Sequence, residues 1–99
     1  MLNITKDAKD SSLTVMLEGR LDTTTAPELE NEIKENVSGV TELIMDFSKL
    51  EYISSAGLRV LLSAQKTMNK QGSMVVKNAS EEVKEIFDVT GFSDILNIE

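Results

Sequence analysis

The chain predicts an α/β fold: a mixed, mostly parallel four-stranded sheet with an edge strand and helices packed on it, in the order β-β-α-β-α-β-α. Two observations carry this. Strand-like and helix-like apolar periods alternate along the sequence, and two of the short apolar strand runs are each preceded by a stretch of helical spacing. Strands joined through helices lie parallel, linked by right-handed crossovers, whereas the first two can pair as an antiparallel hairpin. No internal repeat, low-complexity linker or composition break divides the 99 residues, so residues 1–99 read as a single domain.

Residues 2–6 read as an edge strand, with Asp7–Ser12 as the turn that follows. Leu13, Val15 and Leu17 alternate with Thr14, Met16 and Glu18, a strand with one apolar face. After Gly19-Arg-Leu-Asp22 a helix begins. Thr25 and Glu28 have the spacing of a capping box, and Pro27 falls in the first turn, where its missing N–H matters little. Ala26, Leu29, Ile33 and Val37 continue at helical spacing, and Gly39 closes the element.

Leu43-Ile-Met45, with Phe47 beyond Asp46, reads as a central strand covered on both faces. A second helix is expected over about Ser55–Asn69, ended by Lys66, Lys70 and Gly72. Met74-Val-Val76 is a further internal strand. Ser80 opens a third helix, with Glu81 and Glu82 in its first turn and Val83, Ile86 and Phe87 on one face, and Gly91 stops it. Phe92, Ile95, Leu96 and Ile98 form an apolar tail expected to dock on the core.

Composition narrows the function. With no cysteine there is no disulfide or thiolate metal site, and with no histidine the commonest general base and metal ligand are missing. A reducing, cytoplasmic setting fits. The N-terminus lacks a basic end followed by an apolar run, so no signal peptide is expected, and no stretch approaches the ~20 apolar residues that span a bilayer. A net charge of −7 opposes nucleic acid, leaving a protein as the expected partner.

Enzyme readings fare poorly. Ser55-Ala-Gly lacks the flanking glycines of a nucleophile elbow, and neither a phosphate-binding P-loop nor a dinucleotide turn is present. Asp22, Asp46 and Glu51 have no spacing that recommends a hard-cation site. The reading is of a non-enzyme with no catalytic residue, no metal and no cofactor.

Sites in open α/β sheets gather at the carboxyl ends of the strands. The loops Gly19–Thr25 and Ser48–Ser55 are expected to meet there, with Asp22 and the pair Ser54–Ser55 on one rim. A hydroxyl at a helix start either caps the helix or accepts a phosphate that the unpaired N–H groups stabilise. Gly57, costly inside a helix, points to close backbone approach, either to the sheet or to a partner. Tyr52 and Ile53 read as loop anchors, and Arg59 as a solvated residue able to reach a partner.

The segments Gly19-Arg-Leu-Asp22 with Ala26 and Leu29, and Asp46-Phe-Ser-x-Leu-x-Tyr-Ile-Ser-Ser-Ala-Gly-Leu-Arg-Val-Leu61, resemble the STAS family of bacterial anti-sigma factor antagonists over roughly residues 2–98. The resemblance implies a phosphorylation-switched binding module. Unphosphorylated, it would bind an anti-sigma factor that is also a serine kinase and free the sigma factor. A metal-dependent serine phosphatase would reverse the mark, and the free protein would be a monomer. The implied phosphorylation site is Ser55, with Ser54 as second choice. The implied partner-binding residues are Asp22, Thr23, Ser54, Ser55, Ala56, Gly57 and Arg59. Many relatives carry an acid and two hydroxyls before the glycine, where this chain has Ser54-Ser55-Ala56-Gly57. Where relatives are modified directly before glycine, the matching position is Ala56, and a module that binds without being switched stays open. Two other classes share features. A receiver domain would use Asp46, but Glu18 and Asp22 do not form its acidic pair. An acyl carrier protein would be all-helical, against the strand at 13–18.

Overall fold

The computed structural model describes residues 2–99. Four strands and three helices follow in the expected order: β1 Leu2–Lys9, β2 Ser12–Leu21, α1 Ala26–Asn36, β3 Glu42–Ile53, α2 Ser55–Gln71, β4 Ser73–Lys77 and α3 Glu81–Thr90, then a 3-10 turn at Phe92–Asp94. The sheet order is β1-β2-β3-β4; β1 pairs antiparallel with β2, and the other two pairings are parallel. This geometry removes the all-helical carrier reading, and the antiparallel hairpin at the sheet edge departs from the parallel sheet of a receiver.

β1 is longer than its sequence suggested. It pairs through Lys9, leaving Asp10 and Ser11 as the turn, with Asp10 in the left-handed region at φ 56°. Beyond Ile4 its residues are exposed on both faces, so no apolar period betrays them. Charged residues on an edge strand also discourage sheet-to-sheet association. Lys6 forms an ion pair with Glu32 of α1, tying edge strand to helix.

β3 shows a larger departure. The expected loop from Ser48 is strand as far as Ile53. Its register against β2 slips by one residue between Met16 and Glu18 and again between Gly19 and Arg20, each time with the extra residue on β3. These bulges change the spacing of inward side chains from two to three. Leu43, Met45 and Phe47 face the core, then Leu50 and Ile53 do so as well.

The core lies between one face of the sheet and the three helices. Leu13, Val15, Leu17, Met45, Phe47 and Val76 meet Leu29, Ile33, Leu61, Met68, Val83 and Phe87 in one cluster. The Phe47 and Phe87 rings stand 6.4 Å apart at 35°. The opposite face corrects the sequence reading of a doubly covered central strand: Thr14, Met16, Ile44 and Asp46 are only half-buried there. Successive right-handed crossovers along β2-β3-β4 place α1 and α2 on the same side, and α3 packs into the same core through Val83 and Phe87. The tail divides, with Leu96 buried and Ile95 turned out to solvent. Ile98 bridges Val76, covering part of the free edge of β4.

Candidate functional site

The two segments predicted to form a rim lie side by side, paired as β2 and β3 as far as Leu21 and Ile53. The Ser54 N–H donates to the Leu21 carbonyl at 2.9 Å, where β2 and β3 end together. Asp22 follows Leu21, and α2 starts at Ser55.

Asp22 organises the first half of the rim. Its carboxylate accepts from the N–H groups of Thr24 (3.0 Å) and Thr25 (3.1 Å) and from the Thr24 hydroxyl (2.8 Å). The Thr24 hydroxyl, helped by the two backbone donors, holds its pKa below the ordinary aspartate range. The expected capping box at Thr25 is absent, since Thr25 makes no side-chain cap. Its buried hydroxyl is taken by the strand end, accepting from the Asp22 N–H (2.8 Å) and donating to the Arg20 carbonyl (2.9 Å). Asp22 therefore caps the turn Thr23–Thr25 that leads into α1. Thr23 and Thr24 are exposed.

Ser54 and Ser55 divide their work. Ser54 is the N-cap of α2, extended at φ −96°, ψ 175°, its Oγ accepting from the Gly57 N–H at 3.3 Å. Ser55, the first helical residue, is exposed, and its hydroxyl has no hydrogen-bond partner among the described residues. No acidic residue occupies the first turn of α2, so its positive end is not neutralised by the helix itself.

Not every predicted partner-binding residue is at the surface. Arg59 is exposed one turn into α2, Ala56 is half-buried against the core, and Gly57 is buried. A Cβ on Gly57 would stand 2.7 Å from Leu21 Cγ and 2.9 Å from Ile53 Cγ1, so the close approach is to the strand ends beneath the helix.

Asp46 lies on the open face. It accepts from the Ser48 N–H (2.9 Å) and from Asn78 Nδ2 (3.2 Å), and the Ser48 N–H, with Asn78 and the Lys77 charge, lowers its pKa. It orders the start of the bulged half of β3.

Sequence reasoning missed the pair Arg20 and Tyr52. They are register partners one step before the rim, with the guanidinium carbon 4.4 Å from the ring centroid. The chain reads Arg20 and Tyr52 thirty-two positions apart, and only the two bulges set them side by side.

The comparisons with known proteins agree with this architecture. The family model for the STAS domain matches residues 3–99. BtrV of Bordetella bronchiseptica, by name among the anti-sigma factor antagonists, is 34% identical over 98% of this chain and 85% of its own length. The anti-sigma-B factor antagonist of Bacillus subtilis is 31% identical over 98% of this chain and 92% of its own. The phosphorylated form of SpoIIAA, a Bacillus cell fate determinant, superposes with a TM-score of 0.77 at 18% identity, over 98% of this chain and 91% of that one. The chain belongs to the STAS domain family, among its anti-sigma factor antagonists.

Proposed function

We propose that the unphosphorylated chain binds an anti-sigma factor that is also a serine kinase, through a rim formed by Asp22, Thr23, Ser54, Ser55 and Arg59, and thereby frees a sigma factor. Ala56 and Gly57 back that rim. Phosphorylation of Ser55 by the bound kinase ends the interaction, and a metal-dependent serine phosphatase restores it. The protein acts in the cytoplasm and is a monomer when free.

The observation that carries this reading is the contrast between the two serines. The Ser54 hydroxyl is occupied as a cap, whereas that of Ser55 is exposed, and unpaired among the described residues, at the head of a 17-residue helix. A phosphate there adds about −1.5 to −2 charge. The fold tolerates it, because the helix start favours negative charge by roughly 0.3–1 kcal/mol. A partner fitted to a neutral hydroxyl beside the Asp22 carboxylate meets repulsion and uncompensated desolvation instead. A change of a few kcal/mol moves affinity by two or more decades without reshaping the domain.

The test is incubation of the purified protein with ATP and an extract of its source cells, followed by phosphopeptide mapping. Phosphate on Ser55 is the expected result, and Ser55→Asp should keep the wild-type melting temperature while losing the kinase partner in calorimetry. Phosphate on Ser54 moves the switch by one residue. No phosphate, from an extract that modifies a control antagonist, leaves a binding module that is never switched.

A further inference from the structure

Only Lys6, Lys34 and Lys77 of the ten basic residues form ion pairs among the described residues, and Arg20 is one of those that form none. Its guanidinium lies over the Tyr52 ring instead. Stacking satisfies the flat face of a guanidinium and leaves its N–H edges directed outward, in the fork geometry that binds a carboxylate through two bonds. Tyr52, at 36% exposure, is one of few large apolar side chains that the fold leaves open.

The pairing has its own local device. Glu51 is the extra residue of the second bulge, and Gly19, opposite it, takes φ 110°. Without that slip Arg20 would oppose Glu51, a side chain of opposite charge. With it, Leu21 and Ile53 turn into the core and Arg20 and Tyr52 turn onto the open face, two residues from Asp22 and from Ser54 respectively.

We infer that Arg20, held on Tyr52, is a specificity-determining contact that takes a carboxylate on the anti-sigma partner, extending the rim onto the open face of the sheet. The inference rests on the binding role proposed above. Arg20 gives the rim a fixed positive point beside the negative point at Asp22, so a partner must present opposite charges in matching order. Two antagonists of the same fold but different charge at this position would reject each other's partners.

The experiment is calorimetry of the full chain against the purified serine-kinase anti-sigma factor of its source genome. Arg20→Glu is expected to weaken binding by about tenfold to a hundredfold, because like charges then face each other. Arg20→Lys should fall between, since an ammonium lacks the fork, and Tyr52→Phe should match wild type. A Glu→Lys or Asp→Lys change on the partner should restore binding to Arg20→Glu; this rescue separates a contact from a folding defect. If Arg20→Glu binds like wild type while Asp22→Ala does not, the inference fails and the binding role stands. If Arg20→Glu loses binding and no partner charge swap restores it, Arg20 is structural and the inference fails. If wild type itself does not bind, the binding role fails and takes the inference with it.

Discussion

Gly57 rests directly on Leu21: a Cβ at position 57 would stand 2.7 Å from Leu21 Cγ, closer than side-chain carbons pack. Through this contact the first turn of α2 sits on the last residue of β2, and the exposed Ser55 is held above a fully buried leucine. Alanine is the better helix former by roughly 1 kcal/mol, yet overpacking a core typically costs about 1–3 kcal/mol. Leu21 and Ile53 are 0% and 2% exposed and have nowhere to swing, so the steric term wins. Gly57→Ala should lower stability by about 1–2 kcal/mol in urea unfolding. Gly72→Ala should lower it further, because its Cβ would fall 1.9 Å from the Thr41 carbonyl oxygen, which is backbone that also accepts from the Ser73 N–H.

Ser54 acts as a cap whatever else it does. Ser54→Ala should cost about 1 kcal/mol, and Ser54→Asp should match wild type or exceed it by a few tenths, since a carboxylate accepts the same N–H and suits the helix dipole. Thermal melts of the three proteins decide this. A Ser54→Asp variant less stable than Ser54→Ala would overturn the cap assignment.

Gln71 fastens two helix ends. From the last residue of α2 its Nε2 donates to the carbonyls of Val37 (2.7 Å) and Val40 (2.5 Å), just beyond α1. Gln71→Ala should cost about 1 kcal/mol, and Gln71→Glu more, because it sets a carboxylate against two carbonyl oxygens. Chemical denaturation at neutral pH would rank them; a Gln71→Glu variant as stable as wild type would contradict the arrangement.

Acid should destabilise the fold through Asp22 and Asp46. Both have folded pKa values lowered by hydrogen bonds, from Thr24 above all for Asp22 and from the Ser48 N–H for Asp46. Each therefore contributes stability above the unfolded value of about 3.9, and that contribution is lost as the pH falls through this value and then through the lower folded one. Asp22→Asn and Asp46→Asn should each be less stable than wild type at neutral pH and show a shallower loss below about pH 4. With no histidine to titrate, stability should stay nearly level from about pH 5 to 7. Unfolding midpoints across pH 2–7 test both statements; parallel curves for wild type and the Asn variants would refute the first.

The candidate site was partly legible. Asp22, Ser54 and Ser55 stood out because turn acids and helix-start hydroxyls are local signals, read within a few residues. Their adjacency rests on the pairing of β2 with β3, which runs to Leu21 and Ile53 and is continued by the bond from Ser54 to Leu21, thirty-three positions away. The exchange of capping roles at α1 escaped the sequence because Thr25 and Asp22 are both good caps. The choice fell to Asp22 because the Thr25 hydroxyl is buried against the end of β2. Tyr52 was read only as a loop anchor and Arg20 only as part of the Gly19–Asp22 segment, since nothing local to either residue signals their pairing.

The order of elements, the helix starts at Ser55 and Glu81, and the apolar faces that build the core can be read along the chain, because hydrophobic period and capping chemistry are written in near neighbours. How far β3 runs, which face of the sheet stays open, and what Gly57 and Arg20 touch emerge only in the folded chain. Those outcomes depend on cross-strand register, and two one-residue slips between β2 and β3 set it. A slip of one residue changes which side chains face the core while leaving the local composition unchanged, so no window along the chain records it.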